Sequence, residues 1–335
     1  MHMAKIQLLL IQGDTTTDMT ALVKSVHWKG RKGSSARTLT VTMIDDNGYK
    51  HIRSGIDVED GDQCVFYVDG QERFRGILLN QGQGSKKQLK YTAYDNGIYL
   101  ANNKDTFVYK GKTADEVFVD VCSRFGIPTG DVAKCSYKIP ELTKSKTTGQ
   151  DAVLDALSLD YKATGTRHYV SSDGGKLSLL QRKDQVISFV VDGEANLYDY
   201  SYTKSIENIK TRVKMISKEG TTIAEKTNAD LEKKIGIFQE IQQPDESLTK
   251  AQVTDLVGSV LETLDKPEET LGLNILGDAD VISGKAILVR IPHLNINRAY
   301  YVDDDDHYFE DNLHTMSVTL TTAAEIKEQE DKANG

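Results

Sequence analysis

Cysteine is nearly absent. Cys64, Cys122 and Cys135 are the only three in 335 residues, and no CxxC pair occurs. An odd count so widely spaced excludes a disulfide framework, argues against a zinc site and suits a reducing compartment. Aromatic residues make up 7%, with Trp28 the single tryptophan. Sugar-processing sites lean on aromatic platforms, so a glycosidase built on paired carboxylates is disfavoured, although the distances among the many Asp and Glu residues are not readable from their order. No apolar run approaches the roughly 18–20 residues of a membrane span, and residues 6–11 are too few for a signal-peptide core. The expectation is a soluble chain with its native start at Met3.

Catalytic and phosphate-binding signatures are missing too. His27, His51, His168, His293, His307 and His314 stand in no GxSxG or HExxH frame. Gly30-Arg31-Lys32-Gly33-Ser34 and Gly82-Gln83-Gly84-Ser85-Lys86 lack the GxxxxGK[ST] spacing and a following helix, so both are expected to be hairpin turns. Positive charge is outweighed: 41 Lys and Arg against 50 Asp and Glu give a net charge of −9, which repels nucleic acid overall. One local exception is Lys24, Lys29, Arg31, Lys32 and Arg37, interleaved with His27 and Trp28. A nucleic-acid patch uses such residues, but the net charge favours a basic loop, Lys29, Arg31 and Lys32, that docks on an acidic neighbour.

What is present is mostly β-strand. From Lys5 to about Tyr99, short apolar or alternating runs are separated by Asn47-Gly48, Asp69-Gly70 and Asp95-Asn96-Gly97, the residues tight turns require. The pattern changes at Lys112. Thr113 to Glu116 forms a capping box ahead of a stripe of Val117, Phe118, Val121, Cys122 and Phe125, ended by Gly126 and Pro128. A second helix is expected with Thr147 as cap and Gln150 closing its box, followed by a hairpin over 167–181. Strands resume at Val186, and one more helix is marked by Thr249 and Gln252 and stopped by Pro267. This predicts a mainly β chain with an α+β insertion: a small β-barrel over 3–100, an α+β domain over 101–185, a second barrel over 186–322 with a helical insertion at about 248–266, and a charged tail over 323–335.

The longest β signal is residues 277–322. Ile287, Val289 and Ile291 share a face there, as do Met316, Val318 and Leu320, with a turn at Asp311-Asn312. Between them Asp303, Asp304, Asp305 and Asp306 interrupt a strand. Side chains alternate faces, so at most Asp303 with Asp305, or Asp304 with Asp306, can converge. A hard-metal or zinc site with His307 and His314 is therefore the weaker reading, and a solvated acidic face the stronger.

The order of four pieces carries a resemblance. They are Gly61-Asp62 leading to Arg73-Phe74-Arg75-Gly76-Ile77; Gln150 through Thr164-Gly165 to Gly175-Lys176-Leu177 and Arg182; Asn208 through Lys214; and Tyr301-Val302 followed by His307 and Asn312 to Met316. Together they resemble the XkdQ/YqbQ-like hub proteins of contractile phage tails and of bacteriocin-like prophage particles. The resemblance implies two tube-like barrels per subunit and a homotrimer joining a six-fold tail tube to a three-fold spike, alongside other baseplate proteins. It implies no enzymatic activity, cofactor or metal, and no specific nucleic-acid binding, although DNA passes through the lumen. Assembly in the bacterial cytoplasm, then residence in the particle, is expected. A negative inner wall would keep phosphates from sticking, which makes Asp303 to Asp306 candidate lumen-facing acids. No lysozyme or peptidase residues are recognisable, so wall cleavage is expected of a separate protein. The alternative is a β-rich carbohydrate-binding or peptidoglycan-degrading protein of a phage particle, or an adaptor that stays monomeric.

Overall fold

In the strand Thr38–Ile44, Leu39, Val41 and Met43 are buried, while Thr38, Thr40 and Thr42 lie half-exposed on the other face. β-branched threonine suits that pleated, half-wet surface. Repeated along the chain, the pattern builds one sheet of 13 strands. The structure, a computed structural model, describes residues 4–44, 58–84, 88–244 and 248–323. The expected Asn47-Gly48 turn, His51, Ser85-Lys86, Met3 and the tail beyond Ala323 lie outside the described residues.

Along its main path the sheet runs Leu197–Ser205, Glu268–Leu276, Leu313–Thr322, Ile296–Glu310, Val23–Arg31, Thr38–Ile44, Gln88–Tyr94, Gln71–Gly84, Gln63–Val68, Ile6–Gln12 and Thr15–Asp18. Ala286–Ile291 also pairs with Ile296–Glu310, and Val186–Asp192 lies parallel beside it. The first and last β regions are thus not separate sheets. They join where Val23–Arg31 meets Ile296–Glu310 antiparallel, from Ser25 opposite Glu310 to Arg31 opposite Asp304. Among the described residues no pairing closes this path on itself. The expected turns are present: Asp69-Gly70 and Asp311-Asn312 both take positive φ, as a two-residue hairpin needs. Gly82-Gln83-Gly84, expected in a turn, instead continues a strand against Lys90 to Gln88.

A second core belongs to the α+β elements. Leu100, Phe107, Val117, Phe118, Val121, Ile139, Val153, Leu177 and Leu179 are among its buried members. The helix Ala114–Arg124 carries the expected capping box of Thr113 and Glu116. The helix Gly149–Thr164 starts one residue later than expected: Thr148, not Thr147, is the cap and accepts from Asp151 N at 3.0 Å. With Thr148 as cap, Gln150 stands at the second helical position rather than the third and closes no box; its amide accepts from Ser35 N and donates to Gly33 O, both at 3.1 Å. It ties the loop after Val23–Arg31 to the helix. The short helix Gly97–Asn102 comes so close to that loop that a Cβ on Gly97 would sit 1.6 Å from Ser35 O.

Ser201–Leu271 forms a compact unit of its own, and the residues on either side form the other. The insertion therefore carries more than the expected helix. A three-stranded sheet, in the order Thr222–Thr227, Arg212–Ile216, Gln239–Gln242, packs Val213 and Met215 against Val253, Val257 and Leu261 of the helix Lys250–Leu264, whose capping box of Thr249 and Gln252 is present. Leu197–Ser205 pairs with Glu268–Leu276 in the large sheet, and Arg212–Ile216 belongs to the smaller one. Among the described residues no helix is long and apolar enough to cross a membrane.

Candidate functional site

The four aspartates and the basic loop, far apart in sequence, face each other across one strand pair. In Ile296–Glu310 a register shift between Val302 and Asp304 ends a run, 299–303, in which every residue is buried, and strict alternation follows. Asp305, His307 and Phe309 then point inward, and Asp304, Asp306 and Tyr308 outward. A bulge of this kind re-aims side chains without ending the strand.

Arginines meet the inward acids. Asp305 is ion-paired with Arg37 through both terminal guanidinium nitrogens, one at 3.0 Å and one closer, and also accepts from Ser283 N at 2.6 Å. Asp303 accepts from Arg182 at 3.0 Å and from Lys32 and Thr321 Oγ1 at 3.1 Å each. Both arginines are roofed by aromatics, Arg37 4.4 Å from the Trp28 ring and Arg182 4.2 Å from Tyr301. Planar guanidinium tolerates such stacking where an ammonium does not. Burial alone would raise the Asp305 carboxyl, but Arg37 and the His307 ring hold it well below the usual carboxylate range.

Two histidines extend the buried network. His307 Nε2 lies 3.0 Å from Val281 O, and His307 Nδ1 lies 3.0 Å from His314 Nε2. A carbonyl only accepts, so His307 donates from Nε2 to Val281 O. Burial first, and the neighbouring His307 second, lower the His314 pKa to about 3. His314 stacks on Phe309 at 4.0 Å, and its ring fills the space where Gly277 would carry a Cβ.

The expectation that Asp303 to Asp306 all face a lumen is corrected for two of them. Asp303 and Asp305 lie inside the subunit, 8% and 3% exposed, because Arg182, Lys32 and Arg37 neutralise them there. Asp304 and Asp306 keep access to solvent. Lys29, in the strand Val23–Arg31, pairs with Asp306 at 2.7 Å, and Lys32 pairs with Asp303 at 3.1 Å. Arg31 is exposed. Beside them a cavity of about 260 Å³ is lined by Arg31, Lys32, Arg37, Arg167 and Arg182 together with Leu154, Leu157, Tyr161, Tyr169 and Ile282, and Lys32, Arg37 and Arg182 are already paired with Asp303 and Asp305. Arg182 had no sequence signal for this role. It opens a short 3-10 turn, Arg182–Asp184, and only the fold brings it to Asp303.

Comparison with known proteins places this geometry in context. The model of the family described as YQBQ-like matches residues 26–321. The uncharacterized protein YqbQ of Bacillus subtilis (strain 168) is 29% identical over 304 residues, covering 89% of this chain and 92% of that protein. The phage-like element PBSX protein XkdQ of the same organism is 28% identical over 319 residues, covering 94% and 96%. Among solved structures, the 43 kDa tail protein of prophage MuSo2 from Shewanella oneidensis superposes with a TM-score of 0.66 over 94% of this chain and 97% of that one, at 12% identity. At that identity the likeness is one of fold.

Proposed function

This chain belongs to the YQBQ-like family, and on that footing we propose that it is a non-enzymatic structural hub of a contractile phage-tail or bacteriocin-like baseplate. In this reading three copies form a ring that joins the six-fold tail tube to the three-fold spike. The two β regions of each copy supply six wall segments, and the α+β elements form a domain beside them. The relative XkdQ is named for a phage-like element, and the MuSo2 protein for a tail, which supports the setting.

One observation carries the self-assembly. The sheet ends on Leu197–Ser205, where Tyr198 and Tyr200 are 62% and 37% exposed. The opposite edge, Thr15–Asp18, is short and polar, as a protected edge should be. An edge that keeps large tyrosines in water is instead suited to burial against another surface, here a second copy. Tyr198→Glu with Tyr200→Glu is expected to convert trimer to monomer in light scattering without loss of β content in far-ultraviolet circular dichroism. Peptidoglycan zymography is expected to show no lytic band; a band abolished by carboxylate substitutions would favour the degradative alternative.

Asp304 and Asp306 are the acids left to face the lumen. In assembled particles of an Asp304→Cys variant, a small maleimide should react and a bulky one should not. Equal rates for both reagents would put the residue on the outside.

A further inference from the structure

Cys135, Asp160 and His168 belong to no part of the network above, yet the fold collects them. Cys135 lies in the connection after Thr129–Val132, Asp160 in the helix Gly149–Thr164, and His168 opens the strand His168–Asp173. One ligand atom from each falls within 4.8 Å of the others. His168 Nδ1 is 3.9 Å from Cys135 Sγ and 3.5 Å from Asp160 Oδ2. Ligands at about 2.0–2.3 Å from a tetrahedral zinc ion stand roughly 3.3–3.6 Å apart, so a small inward adjustment brings this cluster onto one ion.

At 3.5 Å the His168–Asp160 contact is within ion-pair range but long for a hydrogen bond, and among the described residues Asp160 Oδ2, in a residue 1% exposed, has no hydrogen-bond partner. The other carboxylate oxygen is held by Tyr137 N at 3.3 Å, the kind of support that orients a metal-ligating carboxylate. A Cys-His-Asp nucleophile would use one ring nitrogen for the thiol and the other for the acid. Here the same Nδ1 lies near both, and Nε2 is 4.0 Å from the sulfur.

We propose that Cys135, Asp160 and His168 bind a zinc ion that pins the helix, the strand and the connecting loop of the α+β elements together. Thiolate, imidazole and carboxylate in a tetrahedral set suit zinc rather than magnesium or calcium, with a water as the fourth ligand. Binding releases the Cys135 proton to solvent.

The test is zinc content by inductively coupled plasma mass spectrometry after incubation with zinc and dialysis into metal-free buffer. The full chain should retain about one zinc per chain. Cys135→Ser and His168→Gln, close in shape to the originals, should retain none, while Cys64→Ser should match the wild type. Cobalt in place of zinc should give a thiolate-to-cobalt charge-transfer band that Cys135→Ser abolishes, with circular dichroism verifying that the variant is folded. A wild-type chain that retains no zinc, or a folded Cys135→Ser chain that retains as much as the wild type, overturns the proposal.

Discussion

Asp305 shows how a buried acid is held in a strand. It is a cost set against Arg37, Ser283 N and His307, and removing one partner leaves another charge stranded. Asp305→Asn should therefore destabilise the protein by about 3–5 kcal/mol in chemical unfolding. Replacing both partners, Arg37→Met with Asp305→Leu, should recover most of that loss, because the apolar pair needs no compensation. His314 carries the acid sensitivity. Its folded pKa of about 3 lies below the ordinary 6.5, so the unfolded chain binds the extra proton between those values. Stability from this group is complete above about pH 6.5 and falls on acidification, with a slope approaching about 1.4 kcal/mol per pH unit. The thermal midpoint of His314→Gln should drop less between pH 7 and pH 5 than that of the wild type.

At the scale of elements, the local grammar of this chain was legible and its long-range pairing was not. The capping boxes at Thr113 and Thr249 and the turns at Asp69-Gly70 and Asp311-Asn312 follow from residues within four positions of one another. The second helix cap was misplaced by one residue because Thr147 and Thr148 are chemically equivalent, and only the Gln150 contacts with Gly33 and Ser35 distinguish them. The strands Thr222–Thr227 and Gln239–Gln242 are short and mostly polar and carry no strong period, so their sheet was invisible. The candidate site divides the same way. Its acids and lysines were visible as clusters, but the pairing of Val23–Arg31 with Ile296–Glu310 that brings them together spans nearly the whole chain. Two tests belong here. Gly97→Ala, which would force a Cβ against Ser35 O, should lower stability by about 1–3 kcal/mol. Replacing residues 207–266 by a short glycine-rich turn should leave the rest of the chain folded, since Leu276 N already bonds Asn196 O and Lys204 lies by Glu269, the antiparallel registry of a hairpin. Loss of the cooperative unfolding transition would refute that autonomy.

For the whole molecule, one sheet carries both β regions, and the family match spans them from residue 26 to residue 321. Splitting the chain between the regions would sever Val23–Arg31 from Ile296–Glu310 and leave buried charges on both faces of the cut. Asp303 and Asp305 are neutralised inside the subunit by Lys32, Arg182 and Arg37, while Asp304 and Asp306 keep access to solvent, Asp306 beside Lys29. If the chain is a self-assembling hub, multi-angle light scattering should give three times the chain mass, alone or on addition of tail-tube and spike proteins; a single-chain mass that persists in their presence would contradict the hub.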